Sequence, residues 1–201
     1  MTYAEFTRQI KNIGKEAVIL LIGKRKVVPA DQESLIRMGE RLALDFTDCI
    51  FRSGNAPGSD QLFTEGVARH AADRLQFVLP YEGHRKDERN AESNYYALDP
   101  EQMAEEDPVP YTTMQQHEKS RRLIPRYLAG HRSRQAMKAP YLLRDTLMVI
   151  GEETMGLRKA DFTLYYDDLD KPMQGGTGLT VKICRSEGVP ALDQRCWLKW
   201  L

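Results

Sequence analysis

The strongest constraint in the sequence is an unbroken apolar run, Ala17-Val-Ile-Leu-Leu-Ile22, closed by Gly23. A run without a polar side leaves no face for water, so a strand here is buried on both faces. Strands of that kind belong to parallel sheets, with helices covering each side. The residues that follow keep the matching rhythm. Asp31–Phe46 carries Leu35, Ile36, Met38, Leu42 and Phe46 near helical period. A short strand is expected over Cys49–Arg52 and a helix with Leu62, Phe63, Val67 and Ala71 on one face. Leu75–Pro80 reads as a third strand. This β-α-β-α-β order with short connections predicts right-handed crossovers.

The stretch 82–140 breaks the alternation. Glu105-Glu106-Asp107-Pro108 reads as surface loop. Met114–Met137 reads as helix, kinked or divided at Pro125. Pro140 opens a further helix with Leu142, Leu143, Leu147, Ile150 and Met155 apolar and Gly156 as its stop; Leu147–Ile150 as a strand is the alternative. Phe162–Tyr166 is a fourth strand, Leu179–Ser186 a helix and Val189–Leu192 a fifth strand. The expected fold is α/β: a Rossmann-like, mostly parallel sheet flanked by helices. One domain is expected over residues 1–201, with 82–140 as a helical and loop insertion.

Composition narrows the function. Of 201 residues 41% are hydrophobic, which supports a real core and argues against global disorder. Lys plus Arg number 29 and Asp plus Glu 29, so a uniformly basic coat for nucleic acid is excluded while a local patch is not. Cys49, Cys184 and Cys196 form no CxxC pair and read as reduced thiols. The first residues carry both charges, unlike a signal peptide, and Ala17–Ile22 is too short to cross a bilayer. The expected location is cytoplasmic, with no membrane partner.

Ligands of open parallel sheets bind beyond the carboxyl ends of the strands. Two glycine-rich segments follow strands: Ser53-Gly54-Asn55-Ala56-Pro57-Gly58-Ser59-Asp60, and Gly175-Gly176-Thr177-Gly178. Gly54 and Gly58 can take positive φ and let backbone approach a ligand. Ser59 or Asp60 stands where a helix cap belongs, and the amides beside it would face an anion. In the second segment the Thr177 hydroxyl adds a donor. Neither segment is a Walker A motif or GxGxxG. Together they predict a phosphorylated nucleotide or nucleotide-derived ligand held by Ser53, Gly54, Asn55, Ala56, Gly58, Ser59, Asp60, Gly175, Gly176, Thr177 and Gly178.

These two motifs resemble the SLOG superfamily, which groups DprA-type DNA-processing proteins with LOG-type nucleotide phosphoribohydrolases. The likeness runs from about Val18 to Asp193 and is greatest to the small DprA-like members common in phages and prophages. It implies a ligand contact for Arg144 and, for Asp60, a hold on the loop or a ribose hydroxyl. It also implies a looser counterpart at Arg89-Asn90, and a homodimer as a further partner. LOG-type hydrolases place a Glu after the second motif, where this chain has Val181 and Lys182. Binding without that chemistry is therefore the leading expectation. An N-glycosidic hydrolase using other carboxylates, Asp60 or Asp193, with Arg144, is one alternative. DprA-like single-stranded DNA binding is the other.

Remaining candidates each have a plain reading. Asp167-Asp168-Leu169-Asp170 could hold Mg2+ but reads first as an exposed acidic loop. His70, His84, His117 and His131 lack zinc spacing, although His84 and His117 can approach the rim. Lys119, Arg121, Arg122, Arg126, Arg132, Arg134 and Lys138, with Tyr127 among them, could grip phosphates or form a solvated face. Trp197 and Trp200 read as packing or a subunit contact rather than base-stacking platforms. No cofactor is implied with certainty.

Overall fold

β1 (Val18–Gly23) lies at the centre of the sheet and has no solvent side. The computed structural model describes residues 1–201. Alternation along β1 sends Ile19 and Leu21 into one apolar cluster and Val18, Leu20 and Ile22 into the other. On the first face lie α1 (Tyr3–Ile13), α2 (Pro29–Asp45), α3 (Ser59–Ala71) and α8 (Gln194–Trp197). The second face is covered by α4 (Pro108–Gln116), α5 (Ser120–Leu128), α6 (Ala139–Ile150) and α7 (Gly175–Ser186). Large side chains such as Phe6, Phe63, Leu143 and Trp197 are fully buried between these layers, each worth roughly 1.5–3 kcal/mol.

The other strands are β2 (Ile50–Ser53), β3 (Leu75–Leu79), β4 (Asn94–Ala97), β5 (Phe162–Tyr166) and β6 (Ala191–Leu192). All neighbours are parallel, in the order β4-β3-β2-β1-β5-β6. The chain builds outward from β1 to one side, then returns to the other side of β1 with β5. The reversal of strand order therefore falls between β1 and β5, the position where open sheets leave a crevice.

The α/β Rossmann-like reading holds, with several corrections. There are six strands rather than five, because β4 lies inside the stretch expected to be helix and loop. Its Tyr95 stacks on Phe77 across the ladder with centroids 5.1 Å apart, a pairing that a charged neighbourhood hid. The helix expected over Met114–Met137 is two helices, and the break falls at His117, whose backbone is extended. Pro125 lies inside α5 without ending it. Leu147–Ile150 is helical, and α6 stops at Gly151 with φ 72°; Gly156 instead ends a 3-10 turn. α1 was not expected. It starts with a capping box in which Thr2 and Glu5 satisfy each other's backbone N–H. Its Phe6 packs against Phe162 and Trp200, so both C-terminal tryptophans serve packing: the Trp197 indole N–H donates to the Tyr165 carbonyl at 3.0 Å. Cys49 and Cys184 are buried free thiols, pushed up to about 11 by burial. No helix is long and apolar enough to cross a membrane.

Among the buried charged residues, one is wholly without solvent exposure. Arg52 of β2 is fully buried, and its guanidinium donates to Gln76 Oε1 (3.1 and 2.9 Å), the Met148 carbonyl (3.0 Å) and the Arg158 carbonyl (2.7 Å). All of these acceptors are neutral, and burial pulls the guanidinium down to about 10. The contact to Met148 satisfies a carbonyl near the end of α6, so Arg52 locks that helix to the sheet. Replacing Arg52 with Met should remove about 2–4 kcal/mol of stability, because three acceptors stay buried and unpaired. Urea denaturation measures this. A loss under about 1 kcal/mol would mean that water re-makes those bonds.

Candidate functional site

A cleft of about 990 Å³ opens beyond the carboxyl ends of β1 and β5. Its walls include the β1–α2 loop (Gly23 to Val28), the first half of α6 with Tyr141, Arg144 and Asp145, the β5–α7 loop (Asp167 to Asp170), the first turn of α7, and Gln194, Arg195 and Leu198 of the C-terminal turns. From the first glycine-rich segment only Ala56 and Asp60 reach it.

Asp60 shapes this end of the sheet. Gly58, with φ 89°, is the residue before α3, so Asp60 falls in the helix's first turn and is not its cap. Its Oδ1 accepts from Gly23 N at 3.0 Å, and Oδ2 accepts from Gly54 N at 3.2 Å and Ala56 N at 3.4 Å. One carboxylate thus joins the ends of β1 and β2. This corrects the expectation that the first segment offers its amides to a ligand: two of them already serve Asp60. Ser53 is likewise turned inward, donating to the Leu21 carbonyl at 2.8 Å. Ser59 holds the β1 loop, with N and Oγ both donating to the Lys24 carbonyl at 3.0 and 2.7 Å. Gly58 has no room for a side chain because the Arg25 backbone lies against it. Asn55 lines a separate, smaller pocket, where its carbonyl accepts from Arg85 at 2.9 Å.

Arg144 does reach the cleft, from within α6. It is 8% exposed, donates to the Gly54 carbonyl, and places Nε 2.9 Å from Asp145 Oδ1. That last contact is an ion pair without hydrogen-bond geometry, so Nε has no acceptor. Two buried carboxylates flank the guanidinium. Burial pushes Asp60 up to about 6, against the opposing pull of Arg144 and the amides of Gly23 and Ala56. Burial also raises Asp145, against Arg144, Arg25 and His117.

The second glycine-rich segment is not a loop. Helix α7 already begins at Gly175, so Gly175, Gly176 and Thr177 form its first turn, and all three line the cleft. Their amides are the free donors of a helix start, and Gln174 before them makes no side-chain cap. Gly178 packs against the Met173 backbone and stays outside. Val181 is buried and Lys182 exposed, so no carboxylate of α7 follows the motif into the cleft.

The sequence analysis missed the β1 loop. Lys24 bridges the two sides of the crevice, with Nζ on the Gln174 carbonyl (2.6 Å) and 3.4 Å from Asp167. Arg25 and Lys26 are exposed, line the cleft and form no ion pair. A Lys-Arg-Lys run directly after a strand-ending glycine was the available signal. Asp145 gave none, being one acid in an apolar helix.

Other candidates have structural work. Asp167 accepts from Met173 N (2.7 Å) and Asp168 N (2.9 Å), and Asp168 accepts from Asp170 N (3.0 Å), so these acids shape their own turn. Asp193 caps α8 and pairs with Arg195. Arg89 folds back on the carbonyls of Glu82 and His84, and Asn90 accepts from Glu92 N at 2.9 Å; neither lines the cleft. His84 packs edge-on to Tyr81 and Tyr141, and burial with Arg144 and Arg85 nearby lowers it.

No family model and no curated protein matches the sequence. Among solved structures, DNA processing protein A from Helicobacter pylori, described for its single-stranded DNA binding mode, is similar with a TM-score of 0.50. The identity is 14%, covering 91% of this chain and 67% of that one. The likeness is one of fold. The chain is a Rossmann-like α/β protein with a DprA-like arrangement.

Asp60 sets a pH dependence whose sign follows from its raised value. Between its unfolded value of 3.8 and about 6, the folded protein holds a proton that the unfolded chain has lost. Its contribution to stability is therefore full below that window and declines as pH rises through it. Carbon-detected NMR should show the Asp60 carboxyl titrating near 6. A midpoint below the ordinary carboxylate value would mean that Arg144 and the three amides outweigh burial.

Proposed function

We propose that the cleft binds a phosphorylated nucleotide or nucleotide-derived ligand, in keeping with the SLOG resemblance of the glycine-rich motifs. The supporting observation is convergence at the β1/β5 crevice. The free amides of α7, the unpaired side chains of Arg25 and Lys26, and the guanidinium of Arg144 all line one cleft. Helix starts and flexible cations are the elements that hold phosphate. The volume exceeds what a lone phosphate needs, and Tyr141, Leu142 and Met148 add apolar wall for an attached base. Calorimetry against mononucleotides, ADP-ribose and cyclic nucleotides is the test. At least one should bind, and the Arg25→Glu/Lys26→Glu double variant should bind about thirtyfold more weakly, a loss of ~2 kcal/mol. Folded protein that binds none of the panel at millimolar concentration would refute the reading.

A second reading, single-stranded DNA, rests on a different observation. From Lys119 to Arg144 the chain contains no Asp or Glu. Arg122, Arg126, Arg134 and Lys138 are exposed along it without an ion pair, and Lys138 lines the cleft. This accords with the DNA binding described for the Helicobacter pylori neighbour. If about four phosphates are neutralised, affinity for an oligonucleotide should fall with salt at a logarithmic slope near −3. Arg122→Glu/Arg126→Glu should flatten that slope. Binding that is absent, or indifferent to salt, disposes of this reading.

A further inference from the structure

We propose that an anion enters this cleft together with a proton, and that Asp145 is the group that takes the proton up. The inference rests on the anion-binding reading above and concerns how that site is controlled. Its basis is geometric. Gly176 is the second residue of α7, and a β-carbon built there would lie 2.8 Å from Asp145 Oδ2. The Asp145 carboxyl therefore stands directly beside the helix start where an anion finds free amides, in the place that a side chain on Gly176 would fill.

Arg144 supplies a second pointer to the same place. It is more than nine-tenths buried, lines the cleft, and keeps Nε without an acceptor despite touching Asp145. A guest at the start of α7 thus lies beside one buried cation and one carboxyl at contact range. Two negative groups that close, out of bulk water, repel by several times thermal energy. Neutralising one of the two removes that repulsion. An oxyanion that stays ionised across the working range cannot be the one, so the carboxyl protonates and its new O–H can donate to the guest.

The surroundings leave Asp145 able to do this. On its own helix it faces Arg144, from the β1 loop Arg25, and from the end of α4 His117. Asp60 of α3 is an acid near it, and Asp167, Asp168 and Asp170 line the same cleft. Lys119 and Lys182 stand behind His117 and, with burial, keep that imidazole low. Burial already raises Asp145 in the free protein, and the cations only partly offset it. Asp60 is less suited to the role, because its oxygens are held by three backbone amides.

Sulfate is the probe, since it remains a dianion throughout and takes up no proton itself. Titration calorimetry at constant ionic strength, in buffers of different ionisation enthalpy, reads the protons taken up per sulfate. About one is expected near pH 7, with affinity rising toward tenfold for each unit of pH lowered. In Asp145→Asn the uptake should vanish, and sulfate should bind about tenfold or more tightly than to the unaltered protein at about pH 8. His117→Gln should leave the uptake in place. Should Asp145→Asn fail to fold, carbon-detected NMR of the unaltered protein replaces it: sulfate should shift the Asp145 carboxyl resonance to its protonated position. Sulfate binding without proton uptake, or uptake that persists in Asp145→Asn or disappears in His117→Gln, overturns this proposal and leaves the anion site standing. Absence of sulfate binding at every pH overturns both.

Discussion

The Asp60 carboxyl accepts hydrogen bonds from Gly23 at the end of β1 and from Gly54 and Ala56 beyond β2, while its own backbone opens α3. Parallel strands leave their last amides without ladder partners, and in most sheets water serves them. Here one buried side chain does so for two adjacent strands. The rest of the rim follows from that anchor. With α3 fixed, Ser59 holds the Lys24 carbonyl, and the β1 loop is pressed against Gly58. The side chains of Arg25 and Lys26 are left on the cleft side.

Arg144 links this anchor to the opposite wall. Its guanidinium spans from the Gly54 carbonyl to the Asp145 carboxylate, so the glycine-rich turn and α6 share one buried cation. Two acids around one base leave a buried excess of negative charge, and burial raises both acids in response. Such an arrangement is costly as scaffolding alone. It fits the proposal that an anion binds in the adjoining crevice.

Zero net charge hides this organisation. Asp99, Glu101, Glu105, Glu106 and Asp107 crowd the chain before α4, whereas the segment from Lys119 to Arg144 has no acid. Total charge speaks to solubility and long-range attraction; a cleft responds to the charges within a Debye length of it. The similarity to DNA processing protein A is one of fold, and a shared sheet topology fixes where a site lies and not what it holds.

The sequence by itself determined the centre of the sheet. An apolar run with no polar side can only be a strand covered on both faces, and the helical periods around it dictate parallel pairing. It also marked the rim, since glycines after strands lie at carboxyl ends. It did not show β4, whose two tyrosines need Phe77 of β3 and the second helical layer to be recognised as a strand. Nor did it show that Gly175–Gly178 begins a helix, because glycine carries no helical signal of its own. Which polar groups remain free was decided only by the tertiary structure. Asp60 uses up amides that the motif seemed to offer, while Arg25, Lys26 and Asp145, which lie outside the glycine motifs, line the cleft. Periodicity reports which face of an element is buried, but hydrogen-bond partners come from elsewhere in the chain, and no local pattern encodes them.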